Sequence, residues 1–333
     1  HDLHEAGVAA LREALDAQGL AAPDQPIALI PCGRLGVLPL HAAWARRDLT
    51  GALVPLMETC ELSYQPAAHT LATARSKAAQ VVAGSVYAVG GPFPFASYEA
   101  EAIAALSRHA GRSSVALTGA EATQQDMLDL LAQARDGAVL DLATPGYIGD
   151  DTNAGYLQLA GHERLALAEL QRDRLLDGVR LVATSGCAMT VGAGDMMPPE
   201  LLDAAAGFLQ SGAAGAVTMR WPAADRATAL LMIALLGNWL ANPARSPARA
   251  LREAARWLRT ATRRQLDELF AGGIPNVPRL PVGPEAVRGY VPSRKDSANQ
   301  VTGMIDLPLD AMTRSDMPYH HPIYWAVAVF HGA

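Results

Sequence analysis

The chain has little cysteine: Cys32, Cys60 and Cys187 are an odd, widely spaced set. That suits a reducing compartment better than a disulfide framework, so a cytoplasmic location is expected. Aromatic residues make up only 5% of a sequence that is 50% hydrophobic, and alanine supplies much of the difference. Such small apolar side chains favour helices packed closely on a sheet. No apolar run approaches the ~20 residues of a membrane span, so no membrane partner is expected. A net charge of −6 argues against nucleic-acid binding through bulk electrostatics. Phosphate loops, dinucleotide fingerprints and metal-ligand spacings are missing too, so no cofactor and no metal is expected. The chain opens at His1 without an apolar signal core, which points to a piece of a longer protein with a further domain upstream.

What is present is a long alternation of apolar strands and amphipathic helices. In 333 residues there is room for one large domain or two modest ones. Before Lys77 the pattern is irregular. A helix is expected over Ala10–Gln18, a strand over Pro26–Ile30, a turn and return through Leu35–Leu40, a helix from His41 to Arg47, and a strand between Leu53 and Ser63. After Lys77 the pattern becomes regular. Strands are expected at Ser85–Val89, Ser114–Leu117, Ala138–Ala143, Arg180–Thr184, Ala214–Met219 and Tyr324–Phe330.

Ser97 is expected to cap a helix running to Leu106, with Glu99 and Glu101 in its first turn complementing the helix dipole. Thr123 and Asp126 resemble a capping box. Gly155–Leu159 and Arg164–Leu167 read as a hairpin about Gly161. Ala227–Leu240 reads as a buried helix and Ala248–Phe270 as one long amphipathic helix. Gly272 to Pro318, rich in Pro, Gly and Ser, is too long for an ordinary connection.

Strands alternating with helices predict a mostly parallel sheet covered on both faces, with any site at the carboxyl ends of the strands. Two such ends stand out. Ala138–Ala143 runs into Thr144-Pro145-Gly146, and Arg180–Thr184 runs into Ser185-Gly186-Cys187. A thiol on one loop needs an imidazole on its neighbour to become a thiolate nucleophile, and the neighbouring loop offers Pro145 instead. Asp141, between Leu140 and Leu142, is a carboxylate in mid-strand. It needs a partner, structural pairing being favoured over contact with a substrate cation. Asp150-Asp151 reads as turn chemistry. Arg252, Arg256, Arg259 and Arg263 read as a solvated helix face, with docking to an acidic partner as the alternative. His162 is the histidine best placed by sequence to act as a relocated base.

Several segments together resemble the CHAT domain, a caspase- and separase-like cysteine peptidase module. They are Ile30-Pro-Cys-Gly-Arg-Leu-Gly-Val-Leu-Pro-Leu-His-Ala-Ala43, Tyr98-Glu-Ala100, Phe208-Leu-Gln-Ser-Gly-Ala-Ala-Gly-Ala-Val217, Trp221-Pro-Ala-Ala-Asp225 and His321-Pro-Ile-Tyr-Trp-Ala326. The resemblance implies a caspase-like α/β fold, with a mostly parallel six-stranded sheet over residues 81–333 and an α+β N-terminal subdomain over residues 1–80. It also implies Cys187 as the nucleophile, with the N–H groups of Gly146 and Cys187 as the oxyanion hole. The family's catalytic histidine precedes a glycine, where Pro145 precedes Gly146 here. Asp141 stands where an additional histidine often lies, and Gly186 and Ala188 depart from the usual flanks of the nucleophile.

These departures imply a degenerate peptidase that binds a peptide or protein partner, a missing upstream domain among the candidates. The alternative is an active cysteine enzyme, an endopeptidase or an acyl-transfer catalyst, that uses Cys187 with a noncanonical base.

Overall fold

The computed structural model describes residues 8–19, 25–47, 53–91, 94–147, 155–186, 204–221, 225–272 and 316–333. In chain order the strands are β1 (Pro26–Leu29), β2 (Trp44–Arg47), β3 (Leu53–Pro55), β4 (Glu61–Tyr64), β5 (Val86–Gly90), β6 (Ser114–Thr118), β7 (Ala138–Ala143), β8 (Gly146–Tyr147), β9 (Tyr156–Gln158), β10 (Arg164–Ala166), β11 (Val179–Thr184), β12 (Gly215–Met219) and β13 (Ala328–Gly332). The helices are α1 (Ala9–Ala17), α2 (Ala68–Gln80), α3 (Pro94–His109), α4 (Gln124–Gln133), α5 (Leu167–Arg172), α6 (Ala204–Gln210), α7 (Asp225–Ala241), α8 (Pro247–Thr260), α9 (Arg263–Gly272) and α10 (Pro322–Trp325).

The main sheet has eight strands in the order β1-β4-β13-β12-β11-β7-β5-β6, and only the β12–β13 pair is antiparallel. The six strands expected between residues 81 and 333 are β5, β6, β7, β11, β12 and β13. The N-terminal segment adds β1 and β4 beside β13, so one sheet runs through both parts of the chain. The central strands β7 and β11 are buried at every position, as a parallel strand covered on both faces must be.

Each face is sealed by its own apolar layer. Ile103 of α3, Leu231 and Trp239 of α7, and Leu251 and Leu258 of α8 cover one face, packing on Val86, Val139 and Leu181. On the other face Met127 and Leu131 of α4, Leu170 of α5 and Phe208 of α6 pack on Leu140, Leu142 and Val182. Thr123 caps α4 by accepting a hydrogen bond from the Asp126 N–H at 3.2 Å, as the sequence predicts. The hairpin is also present: β9 and β10 pair antiparallel about Gly161, and β8 adds a third strand.

Several expectations are corrected. Residues 33–42 form short 3₁₀ turns rather than a returning strand, and His41–Arg47 is not a helix. Its end is β2, which pairs with β3. Gly33 at φ 57° and Pro39 without an N–H give this stretch turn geometry. Leu53–Ser63 is interrupted by a 3₁₀ turn over Leu56–Glu58. Ala248–Phe270 is two helices, because Thr262 starts a new one. Its hydroxyl accepts from the Gln265 N–H at 3.2 Å, while the Gln265 side chain accepts from the Thr262 N–H at 2.9 Å. This break puts Arg263 on a different helix from Arg252, Arg256 and Arg259. Arg259 is not free in solvent but pairs with Glu58 at 2.7 Å. Lastly, the final strand begins at Ala328. Pro322 at the first helical position and the His321 side chain, accepting from the Ile323 N–H, make residues 322–325 a helical turn instead.

Candidate functional site

The parallel register of the central strands decides what meets at their carboxyl ends. Thr184 lies beside Leu142 and Ala183 beside Asp141 across the β7–β11 pair. Ala88 flanks Asp141 on the β5 side. The chain therefore leaves β5 at Gly91, β7 at Thr144 and β11 at Ser185 within one neighbourhood. Backbone hydrogen bonds tie these exits together: the Gly91 N–H donates to the Ala143 carbonyl at 2.9 Å, and the Ser185 N–H to the Leu142 carbonyl at 3.4 Å.

Glycine permits the approach. A Cβ at Gly186 would lie 1.8 Å from the Thr144 carbonyl oxygen and 3.2 Å from the Gly146 nitrogen. A Cβ at Gly91 would lie 3.2 Å from the Pro145 Cδ. At Gly186 a side chain other than hydrogen does not fit, and at Gly91 it would be tight, so the Ser185–Gly186 turn rests on the Thr144–Gly146 turn backbone to backbone. Gly186 has a packing reason to be glycine. Gly146 is buried, pairs with Leu157 as the start of β8, and faces Gly186. Pro145 is half-buried on the rim, and its carbonyl accepts from the Gln158 N–H at 2.8 Å. Cys187 and Ala188, and with them Asp150, Asp151 and Met196-Met197-Pro198-Pro199, lie outside the described residues.

Directly beneath the turns is a buried group of acids. Asp141 is fully buried, flanked by alanines that leave room for its carboxyl on the α3 side. Its partner is Glu99, which sequence reading places in the first turn of a helix facing the dipole. The helix in fact starts three residues before Ser97, at Pro94, and Glu99 is turned inward and 1% exposed. Burial, then the neighbouring Asp141, pushes the Glu99 carboxyl well above the ordinary carboxylate range, against a hydrogen bond from the Ser185 side chain. Burial likewise raises Asp141 to about 7, opposed by its hydrogen bond with Glu99. Asp225, at the first turn of α7, is raised to about 6 by burial, while the hydrogen bond it accepts from the Phe95 backbone acts the other way.

Neither oxygen of Asp141, nor Oε1 of Glu99, has a donor if both acids are ionised. A proton on Glu99 supplies one donor, its O–H donating to one oxygen of the Asp141 carboxylate. The threonine hydroxyls of Thr144 and Thr184, at the ends of the two strands, are also buried with no hydrogen-bond partner among the described residues.

The histidines among the described residues are elsewhere or otherwise engaged. His162 sits in the exposed turn between β9 and β10 with φ 65°. His41 is buried far along the chain's other edge, its Nδ1 2.9 Å from the Tyr64 hydroxyl and its Nε2 2.6 Å from the Ala326 carbonyl oxygen. His321 caps α10, His320 Nδ1 meets the Met317 carbonyl, and His331 Nε2 meets Thr218 Oγ1 at 3.3 Å. His109 closes α3, at the end of that helix opposite the site. No group of three or more His, Cys, Asp or Glu side chains among the described residues is arranged to hold a metal ion, and no helix among them is long and apolar enough to cross a membrane.

A search of curated proteins finds no match to the chain. Among solved structures it is similar to the crystal structure of protein GSU0716 from Geobacter sulfurreducens, at 21% identity and a TM-score of 0.25, over 32% of this chain and 50% of that one. The match thus spans half the length of that protein, and a likeness of this size carries no argument about fold or activity. The family comparison reaches much further: the CHAT domain profile matches residues 1–333, the whole chain, in agreement with the mostly parallel sheet flanked by helices. The chain belongs to the CHAT domain family, whose scaffold is that of caspase-like peptidases.

Proposed function

We propose that this protein is a degenerate cysteine peptidase of the CHAT family that acts by holding a peptide or protein partner. One observation carries the reading. Pro145 lies in the Thr144–Gly146 turn after β7, beside the Ser185–Gly186 turn, at the place where the resemblance puts the catalytic base. A proline ring has no lone pair that can take a thiol proton. The thiol of Cys187 therefore stays mostly protonated at neutral pH, and loss of the base costs several orders of magnitude in rate.

The other acid–base groups support the reading. Asp141 is sealed beneath the turns, and His41, His320, His321 and His331 each spend a ring nitrogen on structural contacts. The tight backbone frame is compatible with binding: the strand ends meet through glycine contacts without the chemistry of a dyad.

The test uses a mixture of fluorophore-labelled peptides of varied sequence. The expected result is retention of a subset of peptides with no new amino termini, the same for the parent and for Cys187→Ala. New termini produced by the parent and absent with Cys187→Ala would overturn the proposal in favour of an active enzyme with a noncanonical base.

A further inference from the structure

The main sheet ends in two edge strands, β1 and β6, and the sequence treats them differently. β1 opens on Pro26, and Pro31 follows close after it, so proline interrupts pairing along that side. β6, Ser114-Val-Ala-Leu-Thr118, has none of these guards. It carries no charge and no proline, and it pairs with β5 in one unbroken register from Ser114 to Thr118. Among the described residues no strand lies on its other side.

The ladder decides which backbone groups are left open. The Val86 N–H donates to the Ser113 carbonyl at 2.9 Å. In a parallel ladder alternate residues then turn their N–H and C=O to β5, here Ser113, Val115 and Leu117. Ser114, Ala116 and Thr118 turn theirs outward. The side chains alternate as well. Leu117 leans on the apolar layer of α4, and Val115, on the same face, is 43% exposed.

We propose that β6 pairs antiparallel with β6 of a second copy of this chain, about a two-fold axis at Ala116, joining the two sheets edge to edge. Three features fit this occupant. The first is the hydrogen-bond register. With Ala116 on the axis, Ala116 faces its own counterpart and Ser114 faces Thr118, so every outward backbone group of β6 has a partner. Moving the axis to Val115 or Leu117 leaves Thr118 or Ser114 without a strand partner. The second is apolar cover. Val115 of each copy comes opposite Leu117 of the other, at the closer spacing of a non-hydrogen-bonded pair.

The third is charge. Antiparallel pairing sets the amino end of one β6 against the carboxyl end of the other. At the amino end the exposed Arg108 reaches the Ser114 Oγ at 3.0 Å. Past the carboxyl end Glu121 is exposed in a 3₁₀ turn. Neither has a partner of opposite charge among the described residues. The two-fold axis brings Arg108 of each copy toward Glu121 of the other. A bound peptide would satisfy the ladder without this reciprocity. Each copy offers one such edge, so the assembly closes at two.

Sedimentation velocity on the chain, over a concentration series up to about 100 μM, reads the assembly. The parent should pass from monomer to dimer along the series. Ala116→Pro removes an outward N–H and no hydrogen bond to β5, so it should leave a folded monomer throughout. Glu121→Arg should weaken the dimer by about tenfold, and adding Arg108→Glu should restore it to within about threefold. Hydrogen exchange in the parent needs no variant to fold. The Ser114, Ala116 and Thr118 amides should gain about tenfold in protection as the concentration rises, while those of Val115 and Leu117, already bonded to β5, hold theirs. A parent that stays monomeric at the top of the series leaves the edge to a peptide strand or to another part of the chain, and overturns the proposal. A dimer that persists in folded Ala116→Pro, or a gain in protection without alternation along β6, overturns it too.

Discussion

The His41–Tyr64 cluster and the Glu99–Asp141 pair are both closed off from water, and they handle that burial in opposite ways. At His41 each polar atom has a partner of the right kind. The Ala326 carbonyl can only accept, so Nε2 carries the proton. The Tyr64 oxygen accepts the His41 backbone N–H at 3.1 Å and returns its own O–H to Nδ1. The ring also stacks on Trp221, 6.5 Å away and nearly parallel, and Arg220 lies over the Tyr64 ring. This cluster joins the N-terminal segment to the residues just before β13. At Glu99–Asp141, by contrast, three buried carboxylate oxygens lack a donor, and an added proton supplies only one. A satisfied cluster behaves as a pin; one that depends on a proton is set by pH.

The two also answer pH with opposite signs. Burial lowers His41 to about 4, so the fold disfavours its protonation. Stability from this site is full above the unfolded value near 6.5 and is lost as the pH falls through about 4. The acids lose theirs as the pH rises. The comparison explains why a protein can carry both: in the window between, each cluster is in its favoured state.

The largest expected effect is Gly186→Ala. Its methyl group collides with the Thr144 carbonyl, a backbone atom that cannot swing away. A loss of about 3 kcal/mol in urea unfolding is expected, and it should not vary with pH, because the clash is steric. A loss that disappears at high pH would mean that the acid pair, not the glycine contact, sets the spacing of the turns.

Next comes the pin. His41→Ala should cost roughly 3 kcal/mol at pH 7, combining lost packing with an orphaned carbonyl and hydroxyl. Tyr64→Phe should cost about 1–2 kcal/mol, since it removes one hydroxyl and leaves the ring. The parent should lose roughly 3 kcal/mol of His41-linked stability between pH 6.5 and 4, and the alanine variant should show no such component. Equal acid sensitivity in both proteins would assign the acid loss to other groups and remove the contrast with Glu99–Asp141.

Much of the fold can be read from the sequence, and the misses have local causes. The regular alternation after Lys77 predicts the six strands because each is a short apolar run bounded by glycine or polar turns. The N-terminal segment defeats periodicity because its connections are 3₁₀ turns set by Gly33 and Pro39, and its strands find partners beside β13, far away in sequence. The break at Thr262 is a capping box hidden inside a helical pattern. At the site, the mid-strand Asp141 signals that a partner must exist but not which one. Glu99 carries its own signal: it falls on the stripe of Phe95 and Ile103, at helical spacing, so it faces inward with them. A reading that gives first-turn acids to the dipole passes over this, because the true helix start at Pro94 moves Glu99 into the second turn.

If the frame survives without its base, Pro145→His should return an imidazole to it. The dependence of iodoacetamide alkylation of Cys187 on pH is measured in the parent and in Pro145→His, with folding of both verified. An ordinary thiol profile, rising toward alkaline pH, is expected in the parent, and a profile displaced to lower pH in the variant if its imidazole reaches the thiol. Fast alkylation of the parent below neutral pH, or coincident curves for the two folded proteins, would contradict this reading.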